Sequence, residues 1–304
     1  MSIPPASEID INLSKARLQS LDDFDISRPD IKLDVLRLDL IHPIVSGNKY
    51  FKLKYHIEKA FAEKKKGILS FGGAYSNHLV ATAYTCAYHG LRSVGIVRGE
   101  EPTLLSPALT DAKAYGMELR FISRDRYKDR DTGLINEPDF LLVNEGGQSE
   151  EGIRGASEII GLVSTERYTH IACSIGTGTM ITGIINNSSK EQKILGFSSL
   201  KISNEQDNEL SAFISNSSTQ NNYSIFYQYH FGGYAKKNNE LLEFMNQFYT
   251  KWNIPTDFVY TAKLFYGITD LVKQGYFTEA SSILVIHSGG LQGNRSLAKG
   301  MLKF

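Results

Sequence analysis

The sequence predicts an α/β protein built on two open, doubly wound sheets. Three observations lead there. Short β-branched runs recur along the chain and are apolar throughout rather than alternating, as in strands buried on both faces of a parallel sheet. Stretches with helical spacing lie between them, the βα alternation of doubly wound folds. Four glycine-containing segments stand where a strand hands over to a helix, which is where open α/β sheets bind ligands.

The strands read as 67–71 (GILSF), 92–97 (RSVGIV), 117–123 (MELRFIS), 140–144 (FLLVN), 169–174 (THIACS), 193–198 (KILGFS) and 281–287 (SSILVIH). They fall into two groups, 67–144 and 169–287, which fits two α/β domains better than one sheet. The first helix starts at Gly47-Asn48-Lys49 and places Tyr50, Leu53, Ile57, Ala60 and Phe61 on one face. Lys64-Lys65-Lys66 reads as the cationic last turn of that helix. Further helices are expected over about 149–163, 178–187, 238–252 and 261–274. The segment 203–224 is rich in Ser and Asn and reads as polar, with an exposed loop.

Length and composition narrow the function classes. A chain of 304 residues with 41% apolar content can bury one large core or two ordinary ones. Lys plus Arg and Asp plus Glu number 33 each, so there is no basic footprint for nucleic acid or an anionic membrane. Cys86 and Cys173 form no CxxC pair, so no disulfide framework is implied, and no metal site is assigned. No apolar run approaches the length of a membrane span. The stretch MSIPPASEIDINLSK lacks the basic and apolar regions of a signal peptide. A soluble, cytoplasmic protein is expected.

The chemistry sits in the four glycine segments: VSGNK (45–49), SFGGAYSNH (70–78), SIGTGTMITG (174–183) and IHSGGLQG (286–293). Glycine admits a ligand to the backbone, and the helix N-terminus that follows offers free N–H groups to an anion. Ser174 to Gly183 is the best anion site by this criterion. Its Gly176-x-Gly178 begins like a dinucleotide fingerprint, but Ile181 stands where the third glycine belongs, and no acidic residue follows at the expected distance. It also lacks the Gly-Lys-Ser/Thr ending of a nucleotide P-loop. A small phosphorylated ligand is the functional reading, and a ligand-free tight turn is the alternative.

Lys49 is the second anchor. A lysine near a helix start is ordinarily solvated surface. Here it follows Gly47-Asn48, and Lys52 lies one turn on. Among cationic dipoles its amine loses its proton more readily, and a desolvated neutral lysine is the nucleophile of Schiff-base chemistry. A phosphate cradle together with an activatable lysine points to pyridoxal 5′-phosphate. Ser76, Asn77 and His78 follow a Gly-Gly turn and read either as an ordinary helix cap or as ligand-facing residues.

The motifs LDLIHPIVSGNKYFKL, SFGGAYSNH, EGGQSEEGIRG, GTGTMITG, FVYTAKLFYGITDLV and IHSGGLQG occur in this order over nearly the whole chain. Together they resemble the pyridoxal-phosphate-dependent family of 1-aminocyclopropane-1-carboxylate (ACC) deaminase and D-cysteine desulfhydrase. The resemblance implies fold type II, the tryptophan-synthase-β-like fold. Its large cofactor domain would span 1–51 and 157–304, with a small α/β domain, 52–156, inserted after the Schiff-base lysine.

Carried over position by position, Lys49 matches the Schiff-base lysine, and Lys52 a lysine reaching the cofactor phosphate. Asn77 matches the residue bonding the ring hydroxyl, and Ser76 the serine beside the reacting Cα. Ser76, Asn77 and His78 are implied to receive the substrate carboxylate on their N–H groups. Gly176, Thr177, Gly178 and Thr179 match the phosphate loop. Tyr234 and Tyr260 match two active-site tyrosines. The chain departs from the family in having Thr179-Met180 where Gly-Thr is frequent, Ala74-Tyr75 where Val-Gln or Ala-Gln is frequent, and Leu38 where Glu is usual.

Two positions bear on the reaction. The deaminase branch has Tyr-Glu at the site matched by Tyr260-Thr261, with the glutamate at the pyridine nitrogen, and leucine at the site matched by Ser288. Thr261 and Ser288 therefore resemble the desulfhydrase branch. The expected activity is β-elimination from a small D-amino acid, with D-cysteine leading, to give pyruvate, ammonia and sulfide. ACC deamination is the alternative. From other classes, an NAD(P)-dependent oxidoreductase using Gly176 and Gly178, or a ligand-binding relative without catalysis, are the competing readings. A homodimer acting on a small amino acid is implied by the resemblance alone.

Overall fold

Two sheets organise the chain. Its structure, a computed structural model, describes residues 11–22, 24, 28–128, 137–201 and 203–304. In chain order the elements are β1 (Leu18–Ser20), β2 (Lys32–Arg37), α1 (Asn48–Ala62), β3 (Gly67–Gly72), α2 (Asn77–Tyr88), β4 (Arg92–Arg98), α3 (Pro107–Ala114), β5 (Glu118–Ile122), α4 (Arg124–Lys128) and β6 (Phe140–Val143). There follow α5 (Glu150–Ser157), β7 (His170–Ile175), α6 (Thr179–Asn187), β8 (Lys193–Ser198), α7 (Asn204–Ser217), β9 (Tyr223–Phe226), α8 (Asn239–Trp252), α9 (Thr261–Lys273) and β10 (Ser282–His287). The larger sheet has the order β1-β2-β10-β7-β8-β9 and the smaller β5-β4-β3-β6. All pairings are parallel except that of β1, which runs antiparallel to β2 at one edge.

All seven strands read from the sequence are present, and the continuous apolar runs are buried along nearly their whole length, as in β3 and β7. The larger sheet is covered on both faces by alternate residues. From β7 and β10, Ile171, Cys173, Leu284 and Ile286 enter one core with Met180, Ile181 and Ile184 of α6. Ala172, Ile283 and Val285 enter the opposite core with Phe248 of α8 and Leu264, Phe265 and Ile268 of α9.

The structure corrects several expectations. β2 (KLDVLR) reads as too polar for a core strand, yet every residue after Lys32 is buried. Its Asp34 is satisfied by the Tyr168 hydroxyl and the Arg167 guanidinium, each at 2.7 Å, so the charge is tolerated. Most of 203–224 is helix rather than loop. Ser203 and Gln206 form a capping box at the start of α7, and the only fully buried residue of α7 is Ile214, so no apolar stripe announces it. α2 is missed for the opposite reason, being buried nearly all round with no amphipathic period. Phe61 is 51% exposed and lies off the buried face of α1, which consists of Phe51, Lys52, Leu53, His56, Ile57 and Ala60. α1 ends before the lysine run, which lies in the turn beyond it. The expected helix over 149–163 is α5 followed by a 3₁₀ turn at Glu158–Leu162. No helix among the described residues is long and apolar enough to cross a membrane.

α1 joins the two sheets. Phe51 packs in the core of the larger sheet, whereas Ile57 and Ala60 pack under β3 and β6 of the smaller. α5 crosses α1 at a distance that excludes a side chain. A Cβ on Gly155 would lie 1.8 Å from the Phe51 carbonyl oxygen. Gly155→Ala should therefore destabilise the protein by about 2–3 kcal/mol in urea unfolding, despite alanine's better helix propensity. An unchanged or raised midpoint would show that α1 and α5 can separate without cost.

Candidate active site

At the carboxyl ends of β3, β7 and β10 the chain leaves the sheets through the glycine segments, and these ends face one cavity. It encloses about 760 Å³ of empty space including its open mouth. Lys49, Lys52, Ser76, Asn77, His78, Gly176, Thr177, Gly178, Tyr234, Tyr260 and Ser288 all line it, so the structure brings together residues up to 239 positions apart.

Lys49 sits in the first turn of α1 because Gly47 adopts φ +64° and lies on the Ser288 carbonyl, where a Cβ would be 1.8 Å from the oxygen. The Lys49 amine donates to Asn48 Oδ1 at 2.7 Å. Its side chain is half-buried, with its one open side on the cavity, and this desolvation brings its amine down to about 8 against the pull of Asp257. Lys52 is buried and donates to the Gly146 carbonyl at 3.1 Å. Burial first, and the neighbouring Lys49 second, hold its amine well below the ordinary lysine range. Neither lysine has a carboxylate partner among the described residues. His78 donates or accepts at Ser70 Oγ, 3.0 Å from Nε2, and its Nδ1 is buried without a partner. Burial and the two lysines push the imidazole well below its usual range, so it is neutral.

Two helix N-termini open into the same space. Ser76 caps α2 by accepting from the Leu79 N–H at 3.2 Å. Its own N–H is spent on the Gly73 carbonyl at 3.0 Å, which leaves those of Asn77 and His78 for a ligand. Asn77 donates from Nδ2 to the Gly290 carbonyl at 3.3 Å, and its Oδ1 is buried with no partner. Gly178, at φ +84°, begins α6, and the N–H groups of Thr179, Met180 and Ile181 have no acceptor among the described residues.

A family profile described as Pyridoxal-phosphate dependent enzyme matches residues 29–289. The chain belongs to the pyridoxal-phosphate dependent enzymes. Among its relatives is a Pyrococcus abyssi protein provisionally named a 1-aminocyclopropane-1-carboxylate deaminase, 27% identical over 294 residues, spanning 88% of this chain and 87% of the relative. Another is the mitochondrial bifunctional D-cysteine desulfhydrase/1-aminocyclopropane-1-carboxylate deaminase of Arabidopsis thaliana, 26% identical over 86% of this chain and 73% of the relative. A crystal structure described as an ACC deaminase homologue superposes with a TM-score of 0.78 at 24% identity, covering 95% of this chain and 93% of the other. That likeness carries the fold, type II.

For a pyridoxal-phosphate dependent enzyme the cavity has the right unmet needs. Among the described residues the Lys49 and Lys52 amines have no carboxylate partner, a row of helix N–H groups has no acceptor, and the Asn77 amide oxygen has no donor. A phosphorylated hydroxy-aldehyde supplies all three.

Two residues expected at the cofactor keep their side chains away from the cavity. Thr261 does not line the cavity. Its hydroxyl donates to Asp257 Oδ1 at 2.8 Å and accepts from the Asp257 N–H at 2.8 Å. Thr179 is fully buried, 3.1 Å from the Thr177 hydroxyl, and only its backbone is at the loop. Sequence reasoning also passed over Asp257, which is fully buried and caps α9 by accepting from the N–H groups of Val259, Tyr260 and Thr261 at 2.9 Å. An aspartate a few residues ahead of an apolar helical run was the available signal. Tyr260 and Tyr234 pack with ring centroids 6.3 Å apart, and burial pushes the Tyr234 phenol up to about 12 and holds that of Tyr260 well above the usual phenol range. Lys263, buried and brought down to about 8 by desolvation, donates to the Gly233 carbonyl at 2.8 Å and so holds the turn that carries Tyr234.

Two outcomes follow from this geometry. Gly47→Ala would force the Lys49 loop off Ser288 and should weaken cofactor binding by about a hundredfold in a visible-absorbance titration, equal affinity being the contrary result. Only the neutral amine attacks an aldehyde, so the rate of covalent cofactor capture should rise about tenfold per pH unit up to about pH 8 and then level. Stopped-flow mixing with pyridoxal 5′-phosphate reads this directly, and a rate that is flat below that point would contradict the lowered amine.

Proposed function

We propose that the protein is a pyridoxal-phosphate-dependent lyase carrying out β-elimination on a small D-amino acid, with D-cysteine the leading substrate. The observation that carries this reading is the wall at Ser288. It presents a serine hydroxyl to the cavity, where the deaminase branch it was compared with has leucine. Glu145 lines the cavity on the side of Gly146 and Thr177, and the buried carboxylate Asp257 takes no part in lining it. Its two oxygens already accept four hydrogen bonds, so no lone pair remains to hold a pyridinium proton. Ring opening of ACC is the second reading, favoured by the names of the relatives rather than by any residue of this wall.

In this reading Lys49 carries the cofactor covalently, Lys52 and the N-terminus of α6 hold its phosphate, and Asn77 Oδ1 meets its ring hydroxyl. Bound there, the cofactor supplies a sink for the electron pair left at Cα. The remaining work belongs to the chain. The N–H groups of Asn77 and His78 orient the substrate carboxylate at the positive end of α2. Ser76, whose Oγ is held by its cap hydrogen bond, lies beside the reacting carbon. The Lys49 amine, released when the substrate amine takes its place, takes the Cα proton, and the electron pair left at Cα forms the Cα–Cβ double bond as the bond from Cβ to sulfur breaks with its own pair leaving on sulfur. The Tyr260 phenol, kept protonated by burial, packs over the Gly176 backbone, 3.5 Å from where a Cβ would stand, and closes that side against water.

The division into a large body, 1–51 with 157–304, and a small one, 52–156, belongs to the same proposal and is supported by the strand sets of the two sheets. So do a homodimeric assembly, on family resemblance, and a cytoplasmic location, on the composition of the sequence.

The test combines a spectrum and an assay. Wild-type protein supplied with cofactor should show a visible band that Lys49→Ala lacks, and adding D-cysteine should release sulfide and pyruvate in equal amounts. Efficient ACC turnover without sulfide release would reverse the order of the two readings.

A further inference from the structure

Beneath the Ser288 wall lies a buried group of charged and titratable side chains that the chemistry above leaves unused. Arg37 and Asp39 pair through two bonds, Nε to Oδ1 at 2.8 Å and Nη2 to Oδ2 at 2.7 Å, with side chains only 4% and 1% exposed. His287, fully buried at the end of β10, stands against them with Nδ1 3.3 Å from Asp39 Oδ1. Its Nε2 donates to the Pro255 carbonyl at 2.7 Å, and its Nδ1 accepts from the Gly289 N–H at 3.3 Å. One imidazole thus touches three chain segments. Pro255 leads into Asp257 and Tyr260. Gly289 belongs to the turn that carries Ser288 and accepts the Asn77 amide at Gly290. Asp39 precedes the loop to Lys49, whose Gly47 N–H is anchored on Leu38 at 3.0 Å.

We propose that His287 is a positioning residue of the cofactor site. Oriented by Asp39, its ring fixes the Ser288–Gly290 turn and ties it to the segment bearing Tyr260.

The two partners of Nδ1 make opposite demands. With Nε2 committed as a donor to Pro255, a bare Nδ1 accepts from Gly289. A proton on Nδ1 converts it to a donor, which Asp39 accepts, and the Gly289 N–H then loses its partner. Both glycines of this turn have left-handed φ, +74° and +95°, and the Gly289 N–H bond holds it together with the bonds to the Ser288 and Gly290 carbonyls. The charged groups around the ring are Arg37 and Asp39 on one side and Asp257 on the other, whose carboxyl feels the His287 charge. From α9 the ring meets only the Phe265 face, with centroids 6.0 Å apart. The flanking strands carry Asp34 and His170 level with Leu284 and Ile283, away from this end of β10.

The inference rests on the cofactor occupying this cavity and is independent of which amino acid is turned over. The experiment is an equilibrium titration of the protein with pyridoxal 5′-phosphate, followed by visible absorbance. His287→Ala removes the acceptor for Gly289 and the donor to Pro255 and should weaken cofactor binding about tenfold, the loss of one hydrogen bond at the wall. His287→Asn keeps an acceptor for Gly289 and should recover most of that loss. A His287→Ala protein that binds cofactor as tightly as wild type, or a His287→Asn protein that binds no better than His287→Ala, overturns the proposal. If His287→Ala does not fold, Asp39→Asn decides, because it leaves the ring but removes the carboxylate that orients it: weaker binding is expected, and affinity equal to wild type overturns the proposal. A wild type that binds no cofactor overturns the cavity assignment along with it, whereas sulfide release tests the substrate reading separately.

Discussion

The backbone of Gly47 rests directly on the carbonyl of Ser288, and the arrangement of the site depends on that contact. A residue with a Cβ cannot stand there, and the φ of +64° is one that side chains resist. The contact joins the loop before α1 to the turn after β10 and presents the Lys49 amine to the cavity rather than to solvent. The Asn48 N–H reinforces it by donating to the same carbonyl at 3.4 Å. Once the two segments are joined, the neighbouring glycines follow from the lack of space, since a Cβ on Gly289 would lie 2.2 Å from Ser46 Oγ.

The electrostatic character of the cavity follows from the same placement. Lys49 and Lys52 are one helical turn apart and neither is paired with a carboxylate among the described residues; desolvation holds both amines down, and Lys49 makes Lys52 harder still to charge. An enclosed pair of amines is costly in an empty protein and is relieved by a ligand that brings negative charge to one and an electrophilic carbon to the other. Glu145 is the carboxylate that lines the cavity, beside Tyr234 and Tyr260, whereas the buried Asp257 is fully committed to the N-terminus of α9 and moderates Lys49 only through space.

Much of this was legible in the sequence, and the exceptions have physical causes. Strands buried on both faces announce themselves as unbroken apolar runs, so β3, β4, β7, β8 and β10 could be read directly. β2 could not, because its buried Asp34 is satisfied by partners far away in the chain, Arg167 and Tyr168, and its Arg37 by Gln19 as well as by the neighbouring Asp39. α7 was hidden by its polar surface, although the Ser203 and Gln206 cap was present in the letters. Motif matching placed Lys49, Asn77, Tyr234, Tyr260 and Ser288 at one cavity. It did not foresee that Thr261 turns inward to Asp257 or that the Ser76 N–H is already used, because both depend on hydrogen bonds that only the folded loops define. His287 lay within the motif IHSGGLQG but carried no signal of its own, since its importance comes from which three segments meet at its ring.

α1 has a mechanical consequence. It is gripped at Phe51 by the core of the larger sheet and at Ile57 and Ala60 by that of the smaller, with Lys49 at its free end. The helix is therefore a lever with its fulcrum close to the amine. At ~1.5 Å per residue the arm from Phe51 to Ile57 is about 9 Å and that from Phe51 to Lys49 about 3 Å. A shift of the smaller sheet reaches the lysine reduced about threefold, so movement at the cavity mouth can be accommodated while the reactive nitrogen is hardly displaced.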